Sequence, residues 1–192
     1  VLWYAGLALV ILGAWAFVSG NFRLEDWRIP LYYTGDATFG LAHSKAYMDG
    51  DLFPVLSKMV SHLNAPFNAN WNDWPITEDL VAALIGWMGR SVGLFFAANL
   101  LIVGSSLLAG FSFFWVADRL QHKRPIAFLL AAAYALSTFI FVRGFTHIVL
   151  AIYWHLPLLI VISWELLEIR GATKSLGTRF PLVASFTAGA LN

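Results

Sequence analysis

The chain has 192 residues, 59% of them hydrophobic and 12% charged, with a mean hydropathy of +0.71, well above the apolar/polar balance of a soluble domain. Twelve Lys and Arg against eleven Asp and Glu leave a formal net charge of +1, which supplies no field for gathering nucleic acid. The absence of cysteine removes disulfides, thiolate metal sites and a Cys nucleophile, and lipid is the solvent that the composition fits.

Four stretches are apolar and long enough to span a bilayer: Val1 to Ser19, Val92 to Ala117, Pro125 to Val142 and Ile148 to Leu167. Each is expected to be helical, because backbone N–H and C=O groups find no partner in hydrocarbon. Pro157 is expected to kink the fourth. In the second, Gly104, Ser105, Ser106, Ala109, Gly110 and Ser112 form a small-residue stripe that lets a neighbouring helix approach closely. A further apolar run, 180–192, falls short of the ~20 residues a span needs. With Val1 already inside an apolar run, the sequence reads as a piece from the N-terminal part of a longer membrane protein. The implied architecture is all-α: a polytopic transmembrane helix bundle with interfacial amphipathic helices in a long first extracytoplasmic loop.

Orientation follows from the short basic loops. Arg119, Lys123 and Arg124 in one and Arg170, Lys174 and Arg179 in the other place residues 118–124 and 169–179 on the cytoplasmic side. Residues 20–91 and the turn 143–147 then face outward. The long loop carries Arg23, Arg28, Lys45, Lys58 and Arg90 against Glu25, Asp26, Asp36, Asp49, Asp51, Asp73, Glu78 and Asp79, a net charge of about −3.

Three helices are expected in that loop: Thr38 to Met48, Leu52 to Leu63 at helical spacing, and one that starts at the capping Thr77 with Glu78 and Asp79 in its first turn and continues from Leu80 to Met88. Between the last two lies a stiff segment, 65–75, with Trp71, Trp74, Asp73, three Asn and two Pro. Aromatic faces cover the C–H side of a sugar while Asn and Asp take its hydroxyls; Trp is also enriched at membrane interfaces for its own amphipathic reasons. Asp36 follows Gly35, whose backbone freedom can aim the carboxylate into a cavity. There it can accept a proton from a hydroxyl or hold a divalent cation beside a phosphate, or it can simply cap the helix that follows. Arg143 and His147 share a five-residue outward turn suited to a lipid phosphate or pyrophosphate; snorkelling of Arg143 to headgroups is the alternative.

Taken together, Gly35-Asp36, Lys45, Asp49-Gly50, Pro66-Phe67, Asn72-Asp73-Trp74-Pro75, Asn99-Leu100, Arg143-Gly144 with His147, and Tyr153 with Pro157-Leu158 resemble the bacterial multi-spanning glycosyltransferases of the GT-C superfamily. The resemblance implies inverting transfer of a sugar from a polyprenyl-phosphate donor to a glycan, lipid or protein acceptor, at the outer face of a bacterial inner membrane. It implies Asp36 as base or as ligand of a divalent cation, Mg or Mn. It implies Asp73 as a second acid or hydroxyl acceptor, Arg143 and His147 at the donor phosphate, and Lys45, Trp71 and Trp74 against substrate. The paired acid that follows the first span in protein mannosyltransferases is not reproduced, since Asp36 stands alone and Glu25-Asp26 comes earlier. A transporter or flippase of lipid-linked saccharides, or a non-catalytic assembly subunit, are the readings from other classes.

Overall fold

The computed structural model describes residues 1–20, 23–31, 35–53, 58–63, 66–71, 79–144 and 147–169. They are mostly helical: α1 (Leu2–Ser19), α2 (Asp36–Asp49), α3 (Asp79–Val92), α4 (Leu94–Arg119), α5 (Arg124–Ala135) and α6 (Leu156–Ile169), with a two-residue antiparallel pair of β1 (Met59–Val60) and β2 (Ala69–Asn70) in the register Met59↔Asn70 and Val60↔Ala69. Three segments are long and apolar enough to cross a membrane: Leu2–Ser19, Leu94–Arg119 and Arg124–Val142. The last is helical apart from Leu136 and Ser137 and ends in a π-helical turn, Ile140–Gly144.

The centre of the bundle is α4, and its small residues explain why. Leu7, Ile11 and Trp15, one turn apart on α1, are the only residues that helix buries, and Leu7 and Ile11 close on Gly110. A Cβ there would lie 2.7 Å from Ile11 Cδ1 and 3.2 Å from Ala135 Cβ, so the glycine is what lets α1, α4 and α5 meet. Much of the rest of α1 is exposed and apolar, Leu9 at 73% and Phe17 at 79%, a surface that water disfavours and lipid accepts.

Two expected helices differ. Residues 148–167 do not form one helix kinked at Pro157. A 3-10 turn, Ile148–Ala151, is followed by an irregular stretch, and α6 begins at Leu156 with Pro157 in its first turn, where the missing N–H costs nothing. The carbonyls freed between α5 and α6 are taken up by side chains. Ser106 Oγ (2.7 Å) and Tyr153 Oη (2.9 Å) donate to Ala135 O, Ser112 Oγ to Trp154 O (2.6 Å), Tyr134 Oη to Tyr153 O (3.0 Å), and Ser105 Oγ to Ala151 O. Four carbonyls of the irregular backbone, those of Ala135, Ala151, Tyr153 and Trp154, are thereby satisfied from within the protein. Nor is Leu52 to Leu63 a helix: Met59 and Val60 pair as a strand, which buries Val60 against Tyr47, Leu52, Ala82 and Ala83. Residues 54–57 of that stretch, Thr77, and the run 180–192 lie outside the described residues.

α2, α3 and the β1–β2 pair form a cap on the end of the bundle where α4 begins. Within it, α2 crosses α3 at Gly86, where a Cβ would fall 2.5 Å from Ser44 O, 2.7 Å from Tyr47 Cβ and 2.8 Å from Met48 N; only the bare backbone fits. Arg90 on α3 donates from Nε to Met48 O and from Nη2 to Tyr47 O, both at 2.9 Å, and so closes the C-terminal end of α2. Buried Asn99 of α4 fastens the strap from α1: its Nδ2 donates to Trp27 O and Ile29 O at 2.8 Å, and its Oδ1 accepts from Leu31 N–H at 3.1 Å.

Candidate functional site

Gly35 has φ +58° and ψ −137°, outside ordinary L-residue space, and it turns the chain so that α2 starts on Asp36 itself. No side chain caps this helix; the carboxylate is engaged elsewhere, with Asp36 Oδ2 lying 2.7 Å from His147 Nε2. Asp36 stands in the first turn, where helix dipole and acid are matched. His147 immediately precedes the 3-10 turn whose Ile148 is buried 3.9 Å from the Cβ position of Gly40, one turn along α2. Both connecting segments therefore emerge at the same end of the bundle and meet. The pair opens outward, with 70% of the Asp36 side chain and 32% of that of His147 exposed.

One turn beyond Asp36 an aromatic ledge continues the surface. Phe39, at i+3 from the acid, lies 6.4 Å centroid to centroid from Trp71, and Trp71 stands edge-on to His43 at 5.9 Å. Phe39 is 39% exposed. A carboxylate–imidazole pair beside exposed ring faces can take a proton from a hydroxyl while an apolar ring face holds the molecule that carries it. Phe39 was not singled out from sequence; its helical spacing from Asp36 is the signal that could have found it.

The other predicted site residues are placed as follows. Trp71 belongs to the ledge. Lys45 sits two and a half turns from Asp36 on α2 and pairs with Asp49 at i+4, so the structure does not bring it to Asp36. Arg143 lies in the π-helical turn, four residues before His147, and its side chain is outside the description. Asp73 and Trp74 lie outside the described residues.

A second polar cluster holds the cap together. Asp79, the first residue of α3, accepts from Tyr47 Oη at 2.9 Å and from Lys58 Nζ, and lies 3.4 Å from Nε2 of His43, which is 1% exposed. Burial lowers the pKa of His43 to about 4; the Asp79 carboxylate opposes that shift and the Lys58 ammonium reinforces it. Burial alone would raise the carboxyl of Asp79, but donation from Lys58 and Tyr47 outweighs it and holds the group below its usual range. Sequence reading saw Asp79 only as a first-turn acid. The 35 residues between His43 and Asp79 are bridged by the α2–α3 crossing at Gly86, which no local pattern announces.

Comparison with protein-family models, curated proteins and solved structures found no match to this chain. The functional reading therefore rests on the residues and their geometry.

Proposed function

We propose that this chain is part of a multi-pass membrane glycosyltransferase that moves a sugar from a polyprenyl-phosphate donor to an acceptor hydroxyl at the extracytoplasmic face. The observation that supports it is the Asp36–His147 contact at the outer end of a bundle with three membrane-length apolar segments. In this reading the Asp36 carboxylate takes the proton of the acceptor hydroxyl as the acceptor oxygen bonds to the anomeric carbon. The bond from that carbon to the phosphate oxygen breaks, and polyprenyl phosphate leaves with its electron pair. His147 positions the carboxylate and faces the phosphate, a role the family resemblance extends to Arg143; Phe39 and Trp71 carry the sugar's apolar face. The polyprenyl chain lies among the spans while its phosphate reaches the interface.

The family resemblance also implies a divalent cation. Asp36 and His147 offer one carboxylate and one imidazole, a pair better suited to Mn than to Mg, which prefers oxygen ligands. Among the described residues no third His, Asp or Glu joins them, and the proton and leaving-group steps above use the protein's own groups.

The interruption between α5 and α6 favours a second reading, a carrier of lipid-linked saccharides, since carriers are built around broken helices. Against it, the carbonyls of Ala135, Ala151 and Trp154 at the break are already bonded by Ser105, Ser106, Ser112 and Tyr153, so these three are not left for a cargo. Turnover of polyprenyl-phosphate sugars by the full-length protein in detergent, where no sidedness exists, separates the two. The enzyme releases polyprenyl phosphate and the carrier does not. Asp36→Asn is expected to slow release by about a hundredfold or more with unchanged protein yield; wild-type turnover in that variant removes Asp36 from the reaction.

A further inference from the structure

In the C-terminal half of α4, away from the cap, α1 and the start of α6 leave an open groove of about 220 Å³, walled by Tyr4, Leu108, Phe111, Trp115, Trp154 and Leu158. The walls are fixed by packing. Tyr4 stands edge-on to Phe111 at 5.5 Å and to Phe114 at 5.1 Å, and Leu158 is buried with Val116. Ser112 also lines the groove, but its hydroxyl is spent on Ala109 O (3.0 Å) and Trp154 O (2.6 Å), and the surface on offer is almost wholly apolar. Leu108, Ser112, Trp115 and Arg119 recur at i, i+4, i+7 and i+11, along one face of α4. Arg119 is exposed, and its guanidinium carbon lies 5.7 Å from the centre of the Trp115 ring, so a cation stands where the apolar stripe ends. From Leu108 to Arg119 the helix rises about 16 Å, close to the ~15 Å that one leaflet contributes to a bilayer's hydrocarbon core. The neighbouring acid does not cancel this charge: Asp118 pairs with Arg124 at 3.0 Å, and Lys123 adds a further cation at the same end of the bundle.

We propose that this groove holds one acyl chain of an anionic phospholipid, with the lipid's phosphate on Arg119. A guanidinium carries five N–H donors, enough to serve two phosphate oxygens while it keeps its place over Trp115. Length and charge argue for this occupant over others. A spanning helix is about 30 Å long and would find walls along only half of it. A zwitterionic headgroup brings an ammonium to a positive rim, whereas an anionic one brings only the charge that the rim attracts. The site rests on α1 and α4 crossing a bilayer, as in the reading above, but it makes no use of Asp36 or His147 and stands whether or not the chain transfers sugars.

The test uses the full-length protein in nanodiscs containing equal parts phosphatidylglycerol and phosphatidylcholine, with the lipids that stay bound on detergent release counted by mass spectrometry. The wild type is expected to retain phosphatidylglycerol about fivefold over phosphatidylcholine, the effect of one basic residue near the bilayer surface. Arg119→Gln brings that ratio to about one. Leu108→Trp fills the groove and lowers retention of both lipids. Both positions face outward, Leu108 at 49% exposure, so neither change disturbs the packed core. A wild type that retains no lipid has its groove covered by another helix or a second copy. That result overturns the proposal, as does equal retention of the two lipids, a wild-type ratio in Arg119→Gln, or wild-type retention in Leu108→Trp. These readouts are independent of sugar transfer; a protein that does not enter the discs overturns the membrane reading and this proposal with it.

Discussion

In the bundle, α4 meets its neighbours through Gly110, Ala109 and three serines, and its polar atoms are spent on backbone carbonyls. In the cap, α2 meets α3 through Gly86 and a cluster of ionisable groups centred on Asp79. Both regions rely on a bare glycine for closest approach, but they treat polarity in opposite ways. Among the membrane-length apolar helices, the serine hydroxyls close specific carbonyls, the arrangement hydrocarbon would favour, since an ion there costs several kcal/mol. Where water is near, a carboxylate, an ammonium and an imidazole share one site. Titration should therefore reach the cap through His43 and Asp79.

The largest effect should come from the cap's glycine. Gly86→Ala drives a methyl into backbone atoms of α2, which cannot swing aside, and should destabilise the cap by about 3 kcal/mol or more. Hydrogen exchange would show amides of α2 and α3 losing protection together while those of α4 keep theirs; unchanged protection in α2 would mean that the crossing is looser than 2.5 Å implies.

Acid comes next. Unfolded histidine binds a proton near 6.5, whereas buried His43 does so only near 4, so between these values the unfolded cap binds more protons and stability falls as pH falls. The loss reaches at most about 3 kcal/mol by pH 4. Asp79, held below its usual pKa, adds a loss of the same sign only under still more acid conditions. Exchange rates of cap amides followed from pH 7 to 4, corrected for intrinsic chemistry, would test this, and His43→Gln should flatten the curve.

Asp79→Asn should cost the cap about 2 kcal/mol, because Lys58, whose side chain is 11% exposed, is left without its counter-charge. The pH dependence should survive, since burial is the main cause of the His43 shift. A thermal melt of the variant at pH 7 and pH 5 reads both effects at once.

The smallest change belongs to the bundle. Ser106→Ala removes one of two donors to Ala135 O, and with Tyr153 still in place the cost should be about 1 kcal/mol, independent of pH. A pH-dependent loss in that variant would break the division between the two regions.

Much of this division is legible in the sequence, and the exceptions have physical causes. Unbroken apolar runs at 1–19 and 92–117 reveal α1 and α4 to within two residues, because lipid-facing helices need no periodicity. Leu52 to Leu63 fails for the opposite reason: Val55, Leu56, Met59 and Val60 suit a helix stripe, yet a short strand buries Val60 just as well, and spacing cannot choose between them. Pro157 signals an irregularity correctly but leaves its size open. A kink and a fresh start look alike unless the hydroxyls of Ser105, Ser106 and Ser112 are matched to the carbonyls they serve. At the candidate site, Gly35-Asp36 announces itself through the glycine, and His147 through its place just after an apolar run. The contact between them, like the His43–Asp79 approach, depends on how distant helices cross, which composition and periodicity do not encode.

The interrupted stretch between α5 and α6 has one further consequence if the chain crosses a bilayer as proposed. Hydrocarbon offers no partner to a peptide group that a broken helix exposes. Here serine and tyrosine hydroxyls serve the carbonyls of Ala135, Ala151, Tyr153 and Trp154, so at these four positions the gap needs no water.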